Sequence, residues 1–100
     1  MKNFDTYTFK HNKLRTMTVN NNTWFVADDV CKILGYHDYE DAVKRYVADG
    51  DYRTLRMKKR IFSKDVLCVN NTGFEFLAFC SKKSANYCQE LGDFVSEIRA

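Results

Sequence analysis

Residues 24–36 read W-F-V-A-D-D-V-C-K-I-L-G-Y, and within this one stretch the pattern passes from strand to helix and then stops. Trp24, Phe25 and Val26 are residue types that favour a pleated, half-buried surface. Asp28 is placed to cap a helix by accepting a backbone N–H, and its charge suits the positive helix end. Val30, Ile33 and Leu34 then recur at helical spacing. Gly35 supplies the left-handed residue that ends the helix, and Tyr36 can fold back over the last turn. On this reading Asp28 and Asp29 start a helix, while Trp24, Val26, Val30 and Leu34 fill a core.

The flanking segments extend the pattern. Tyr7–Lys10 and Lys13–Asn20 read as strands joined at His11-Asn12, and Trp24–Val26 is a third. In the second strand Leu14, Thr16 and Thr18 alternate with Arg15, Met17 and Val19, which suits a sheet with one covered face. Asn20-Asn21-Asn22 is a turn, because asparagine tolerates left-handed backbone. A second helix over Tyr39–Ala48, capped by Asp38, buries Tyr39, Val43, Tyr46 and Val47. The segment 53–64 reads as a hairpin or a long loop with its charges at the tip, followed by a short apolar strand, Val66–Val69. Asn71-Thr72-Gly73 opens a third helix through Phe74, Leu77 and Ala78. The last helix spans about Ser84 to Arg99 at a 3.6-residue period, with Tyr87, Cys88, Leu91, Phe94, Val95 and Ile98 as its apolar stripe. Gly92 inside it predicts a close-packed neighbour, since glycine there costs about 1 kcal/mol relative to alanine. No internal repeat or linker interrupts the chain. The expected fold is α+β: a small antiparallel sheet, made of an N-terminal meander plus later short strands, packed with about four helices. Residues 1–100 form a single domain, and 45% apolar residues suffice for one core.

Several function classes lose support. No run of eighteen apolar residues exists, so no membrane span is expected, and the N-terminus lacks an apolar signal-peptide core. Cys31, Cys68, Cys80 and Cys88 fit no paired metal-ligand spacing. They read as reduced, mostly buried thiols of a cell interior, with a zinc site including His11 and His37 as the alternative. There is no Gly-rich phosphate loop, no nucleophile elbow and no metal-binding helix, so no enzyme and no cofactor is expected.

Charge distribution is more informative than the net charge of +3. Residues 28–51 carry seven acids against three bases, whereas 53–64 carry six bases and no acid. Those six are Arg53, Arg56, Lys58, Lys59, Arg60 and Lys64. Like charges so concentrated repel unless a polyanion neutralises them. The plainer alternative is a solvated edge that blocks sheet aggregation. Lys82 and Lys83, between two serines just before or at the start of the last helix, form a second candidate anion site. The two helices around Gly35 resemble a helix-turn-helix, but the second begins with Asp38, Glu40 and Asp41, which suits neither bases nor phosphates. Lys44 and Arg45 instead lie four residues from Glu40 and Asp41, at ion-pair spacing. The basic segment at 53–64, acting like a wing, is the better binding surface.

W-F-V-A-D-D-V-C-K-I-L-G-Y (24–36), A-V-K-R-Y-V-A-D-G-D (42–51), V-N-N-T-G-F (69–74) and S-K-K (81–83), in this order and spacing, resemble the Bro-N domain. That domain begins the baculovirus BRO proteins and many prophage antirepressors. The last helix departs from the family pattern, which often has a tryptophan inside it and a proline near its end; this sequence has Leu91 in that region and no proline. The resemblance implies a nucleic-acid-binding α+β domain of a viral or phage regulatory protein, either excised from a longer chain or a small stand-alone member. It implies an intracellular location, the host nucleus for an insect virus or the bacterial cytoplasm for a phage. Three partner readings follow. The first is double-stranded DNA, held mainly by phosphate contacts. The second is a protein partner of repressor type on the acidic helices 38–48 and 84–98, and a homodimer would serve either. The third is RNA or single-stranded DNA, stacked on Tyr52 or Phe62, although core packing is the expected use of Phe62.

Overall fold

The computed structural model describes residues 4–59 and 61–99. Three strands open the chain: β1 (Asp5–Phe9), β2 (Asn12–Val19) and β3 (Asn22–Val26), the expected meander. Both connections are two-residue turns with left-handed backbone, Lys10-His11 (φ 45° and 71°) and Asn20-Asn21 (φ 50° and 66°). Such turns match the twist of the flanking strands. The first lies one residue earlier than its sequence suggests. That register pairs Phe9 with Asn12 and Tyr7 with Leu14, and so puts Phe9 and Leu14 on one buried face.

β3 runs directly into α1 (Ala27–Leu34). Here the expected capping role of Asp28 fails. The N-cap position is Val26, which offers no side-chain acceptor, and Asp28 sits in the first turn, 3.5 Å from Lys32. Asp29, also in the first turn, caps nothing there and is fully buried. Its carboxylate accepts the Arg15 backbone N–H at 2.9 Å and the Arg15 side chain at 2.8 and 3.0 Å. The cause is topological. β2 pairs with β3 only from Thr16 onward, because β3 leaves the sheet after Val26. Arg15 thus loses a ladder partner, and a buried N–H must find another acceptor. The other end of α1 is as expected: Gly35 is left-handed (φ 87°), and the Tyr36 N–H closes on the Cys31 carbonyl at 2.8 Å.

α2 (Tyr39–Tyr46) is capped by Asp38 but stops short of Ala48. Ala42 and Val43 are buried, whereas Tyr46 is not. Asp41 pairs with Arg45 at 2.8 Å. β4 (Tyr52–Lys59) and β5 (Phe62–Val69) form one hairpin, so β5 is longer than the strand expected at Val66–Val69. α3 (Asn71–Cys80) begins on Asn70, whose side chain accepts the Gly73 N–H at 2.9 Å. α4 (Ala85–Arg99) begins on Ser84, whose hydroxyl accepts the Tyr87 N–H at 3.1 Å. Leu91 and Val95 are the fully buried members of its stripe. No helix among the described residues is long and apolar enough to cross a membrane.

The sheet order is β1-β2-β3-β5-β4, antiparallel throughout. The expectation of one covered face is corrected: both faces bury apolar side chains. The main core joins Leu14, Phe25 and Val69 to Val30, Leu34, Leu77 and Leu91 of the helices. A smaller cluster on the opposite face joins Trp24 and Val26 to Met17, Leu55, Val66 and Cys68. Tyr36 and Tyr87 donate their hydroxyls across helices, to the Leu77 carbonyl at 2.7 Å and the Ile33 carbonyl at 3.0 Å.

Two glycines separate packing from propensity. A Cβ on Gly73 would meet the Asp51 carbonyl at 2.9 Å and Val69 and Val47 at 3.0 and 3.1 Å. Gly73→Ala should therefore destabilise by about 1–3 kcal/mol, as overpacking does. At Gly92 the sequence predicts a close neighbour, yet nothing lies within 4 Å of an added Cβ. Gly92→Ala should stabilise by up to about 1 kcal/mol through helix propensity. Urea unfolding of the two variants should move the midpoint in opposite directions.

The cysteines divide as only partly expected. Cys31 and Cys68 are buried, Cys88 is half-buried and Cys80 is exposed. Burial pushes the thiols of Cys31 and Cys68 up from 9.0 to about 12. A folded-state value above the unfolded one favours folding fully below about pH 9, and this contribution is lost as pH rises toward 12. Stability should thus fall steeply above about pH 9, and replacing Cys31 by alanine should flatten that alkaline limb. At pH 8 an alkylating agent should label Cys80 first and reach Cys31 and Cys68 only on unfolding.

Candidate nucleic-acid interface

β5 pairs with β3 through only two residues, Val69 with Phe25 and Cys68 with Val26. The rest of the β4–β5 hairpin runs on past the end of β3, unpaired on that side. Burial ends at Leu55 and Val66, and Phe62, Ser63, Lys64 and Asp65 are all exposed. The domain measures 40 × 26 × 24 Å, longer along one axis than the others. The hairpin is therefore an arm with a buried root and a solvated outer half.

The sequence places the cations at a loop tip; the strands instead spread them along the arm on two faces. Register puts Arg53 and Lys64 on the face of Leu55, Met57 and Phe62, and Arg56 and Lys58 on the face of Ser63 and Asp65. Arg53 lies at the root, its guanidinium 5.5 Å from the Trp24 ring centre. Lys58 and Lys64 are exposed and make no ion pair among the described residues. Arg60 and the side chain of Lys59 lie outside the described residues.

Arg56 is engaged. Its Nε donates to Asp65 at 3.3 Å, and Nη1 reaches the Ser63 hydroxyl at 3.4 Å. Asp65 stands one position past the acid-free run and folds back across the hairpin to face Arg56. Both side chains are more than half exposed, so the pair adds less than about 1 kcal/mol and a phosphate can compete for it. Including Asp65, residues 53–65 still carry six cations against one acid.

Lys82 and Lys83 are not brought to this arm. They lie in the bend between α3 and α4, just before the helix, the first of the two expected positions. Lys83 Nζ sits 5.0 Å from the Tyr87 ring centre, and its stem packs beside Gly35 at the C-terminal end of α1. Lys64 instead shares a small cleft with Asp28 and Tyr39 at the other end of α1, about 12 Å away along an eight-residue helix. Ser81 accepts the Lys83 N–H at 3.1 Å and Ser84 takes the Tyr87 N–H, so two groups expected to meet an anion are already satisfied.

Two features escape the sequence reading. Phe62, expected in the core, is 66% exposed, and Ile61 beside it is 94% exposed. Their exposure follows from a hairpin that outruns the sheet meant to cover it. Tyr52, in contrast, is held at the root by its hydroxyl bond to Asp49 at 2.9 Å, far from the tip. The second feature is a pair of exposed aromatics on α3, Phe76 and Phe79.

A five-stranded antiparallel sheet backed by four helices, with a cationic hairpin leaving one edge, defines a small α+β domain built around an arm. The model of the BRO family, N-terminal domain (Bro-N) matches residues 13–92, and the chain belongs to that family. No curated protein and no solved structure matches it.

Proposed function

We propose that this chain is a DNA-binding domain of a viral or phage regulatory protein, holding the phosphate backbone mainly through the β4–β5 arm. The observation that supports this reading is the arm itself, which continues past the end of β3 and whose segment 53–65 carries six cations against one acid. Edge protection needs fewer charges and a shorter strand. Arg53, Lys58 and Lys64 lead, Arg56 joins when a phosphate displaces Asp65, and Lys59 and Arg60 add two further charges of the same segment. Lys82 and Lys83 have a weaker claim, since α1 separates them from the arm. A titration of duplex DNA across a salt series tests the reading. Four to six neutralised phosphates give a log–log slope of about −4 to −5. A slope near zero refutes it, and tighter binding to single strands or RNA would redirect it.

A protein-interaction role of antirepressor type is favoured by a different observation, the exposure of Phe76 and Phe79 next to Glu75 on α3. It predicts that Phe76→Ser with Phe79→Ser abolishes capture of a repressor partner and leaves duplex affinity unchanged.

A further inference from the structure

Two-residue hairpin turns are ordinarily filled by glycine, asparagine or aspartate. Here the pairing of Lys59 with Phe62 closes the turn, and it presents Ile61 and Phe62 to water at 94% and 66% exposure. Neither side chain reaches this protein's own core. Phe62 stands four residues beyond Val66, the last buried residue of β5, or about 13 Å along the strand. Lys58 and Lys64 flank the pair on opposite faces of the arm, with Arg56 and Arg53 further down.

Resting on the DNA-binding reading above, we propose that the tip is an apolar wedge: Ile61 and Phe62 insert at a base step of duplex DNA while the arm's cations grip the phosphates on either side. Wedges of this kind unstack one step and bend the duplex, which brings more phosphates to the protein. The cost is least at flexible pyrimidine–purine steps, so the wedge gives sequence preference without hydrogen bonds to bases. An anionic lipid surface would also accept apolar side chains among cations. The charge layout favours DNA. A tip-down lipid insertion uses charges within the shallow headgroup layer, about 5–10 Å deep. The cations of the arm instead run from the turn down to Arg53, six residues or about 20 Å along β4, as a path of phosphates requires.

The test uses two duplexes, one with a central TA step whose adenine is 2-aminopurine and one with a stiff A-tract carrying the same probe. Each is labelled at its ends for energy transfer. The protein should raise 2-aminopurine fluorescence at the TA step at least about twofold, shorten the end-to-end distance, and bind that duplex about tenfold tighter than the A-tract. The Ile61→Ser, Phe62→Ser variant should keep the salt slope and lose the fluorescence rise, the bend and the preference. Both side chains are exposed, so its thermal midpoint should match the parent, which separates this result from misfolding. Salt-dependent binding without unstacking or bending overturns the wedge and leaves the binding reading intact. No duplex binding overturns both. An unchanged signal in the serine variant also overturns the wedge. So does sedimentation with phosphatidylserine vesicles that the variant loses while its DNA behaviour is unchanged, and that result would assign the tip to lipid.

Discussion

Replacing Arg15 with alanine should lower the unfolding free energy by about 3–5 kcal/mol, a large share of what a domain of this size possesses. Asp29 has no exposed side-chain surface, and two of its three hydrogen bonds come from the Arg15 guanidinium. Without that partner a carboxylate remains buried with one backbone N–H for company. The reverse change, Asp29→Ala, should cost less, because Arg15 keeps a 20% exposed side chain through which water can reach it. A paired replacement separates charge from structure. Arg15→Met with Asp29→Asn removes both charges and retains an acceptor for the Arg15 N–H. It should recover most of the loss, since a buried ion pair is often replaceable by neutral groups of similar size. Urea unfolding of Arg15→Met, Asp29→Asn, the paired variant and the parent supplies the cycle. Equal losses for the single and paired variants would show that the charge pairing is not the source. The pair ties the start of α1 to β2, and Arg15 lines one cleft with Lys64 and Asp65 of β5.

The contrast between Asp28 and Asp29 shows where the sequence stops being legible. Side by side, the two acids look like equivalent helix starters. Only Asp29 meets Arg15, fourteen residues away, and only because β3 abandons the sheet at Val26. Local chemistry carries no trace of that departure. Where a single residue decides its own backbone, the reading holds: Gly35 ends α1, Asp38 caps α2, and Asn20-Asn21 turns the chain. Lys10-His11 adopts the same turn without the composition that announces it. The position of Phe62 depended on a non-local length. An aromatic beside an apolar strand reads as core, yet β3 covers only two residues of β5. The charge run was legible as composition; its spread over two faces, and the partner Asp65 offers to Arg56, required the register.

Neutralising Lys58, Lys59 and Arg60 together should weaken duplex binding by about 10²–10³-fold at 0.1 M salt. If each contact releases about 0.9 of a counterion, three lost contacts reduce the log–log salt slope by about 2.7, and at 0.1 M each is worth nearly one decade. The substitutions lie beyond Leu55 and Val66, where burial ends, so stability should stay within about 0.5 kcal/mol of the parent. Net charge alone would also weaken binding, and a matched control removes that ambiguity. Neutralising Lys32, Lys44 and Arg45 deletes the same three charges from α1 and α2, where Lys32 and Arg45 already face Asp28 and Asp41. If the arm is the binding surface, the control should keep the parental slope and lose less than about tenfold. If the control loses as much as the arm variant, long-range attraction to overall charge explains the affinity and the arm holds no privileged contact. If only the arm variant fails, its slope counts the phosphates at the turn. That count can be compared with the contacts that remain on Arg53, Arg56 and Lys64, because counterion release is close to additive over separate phosphates.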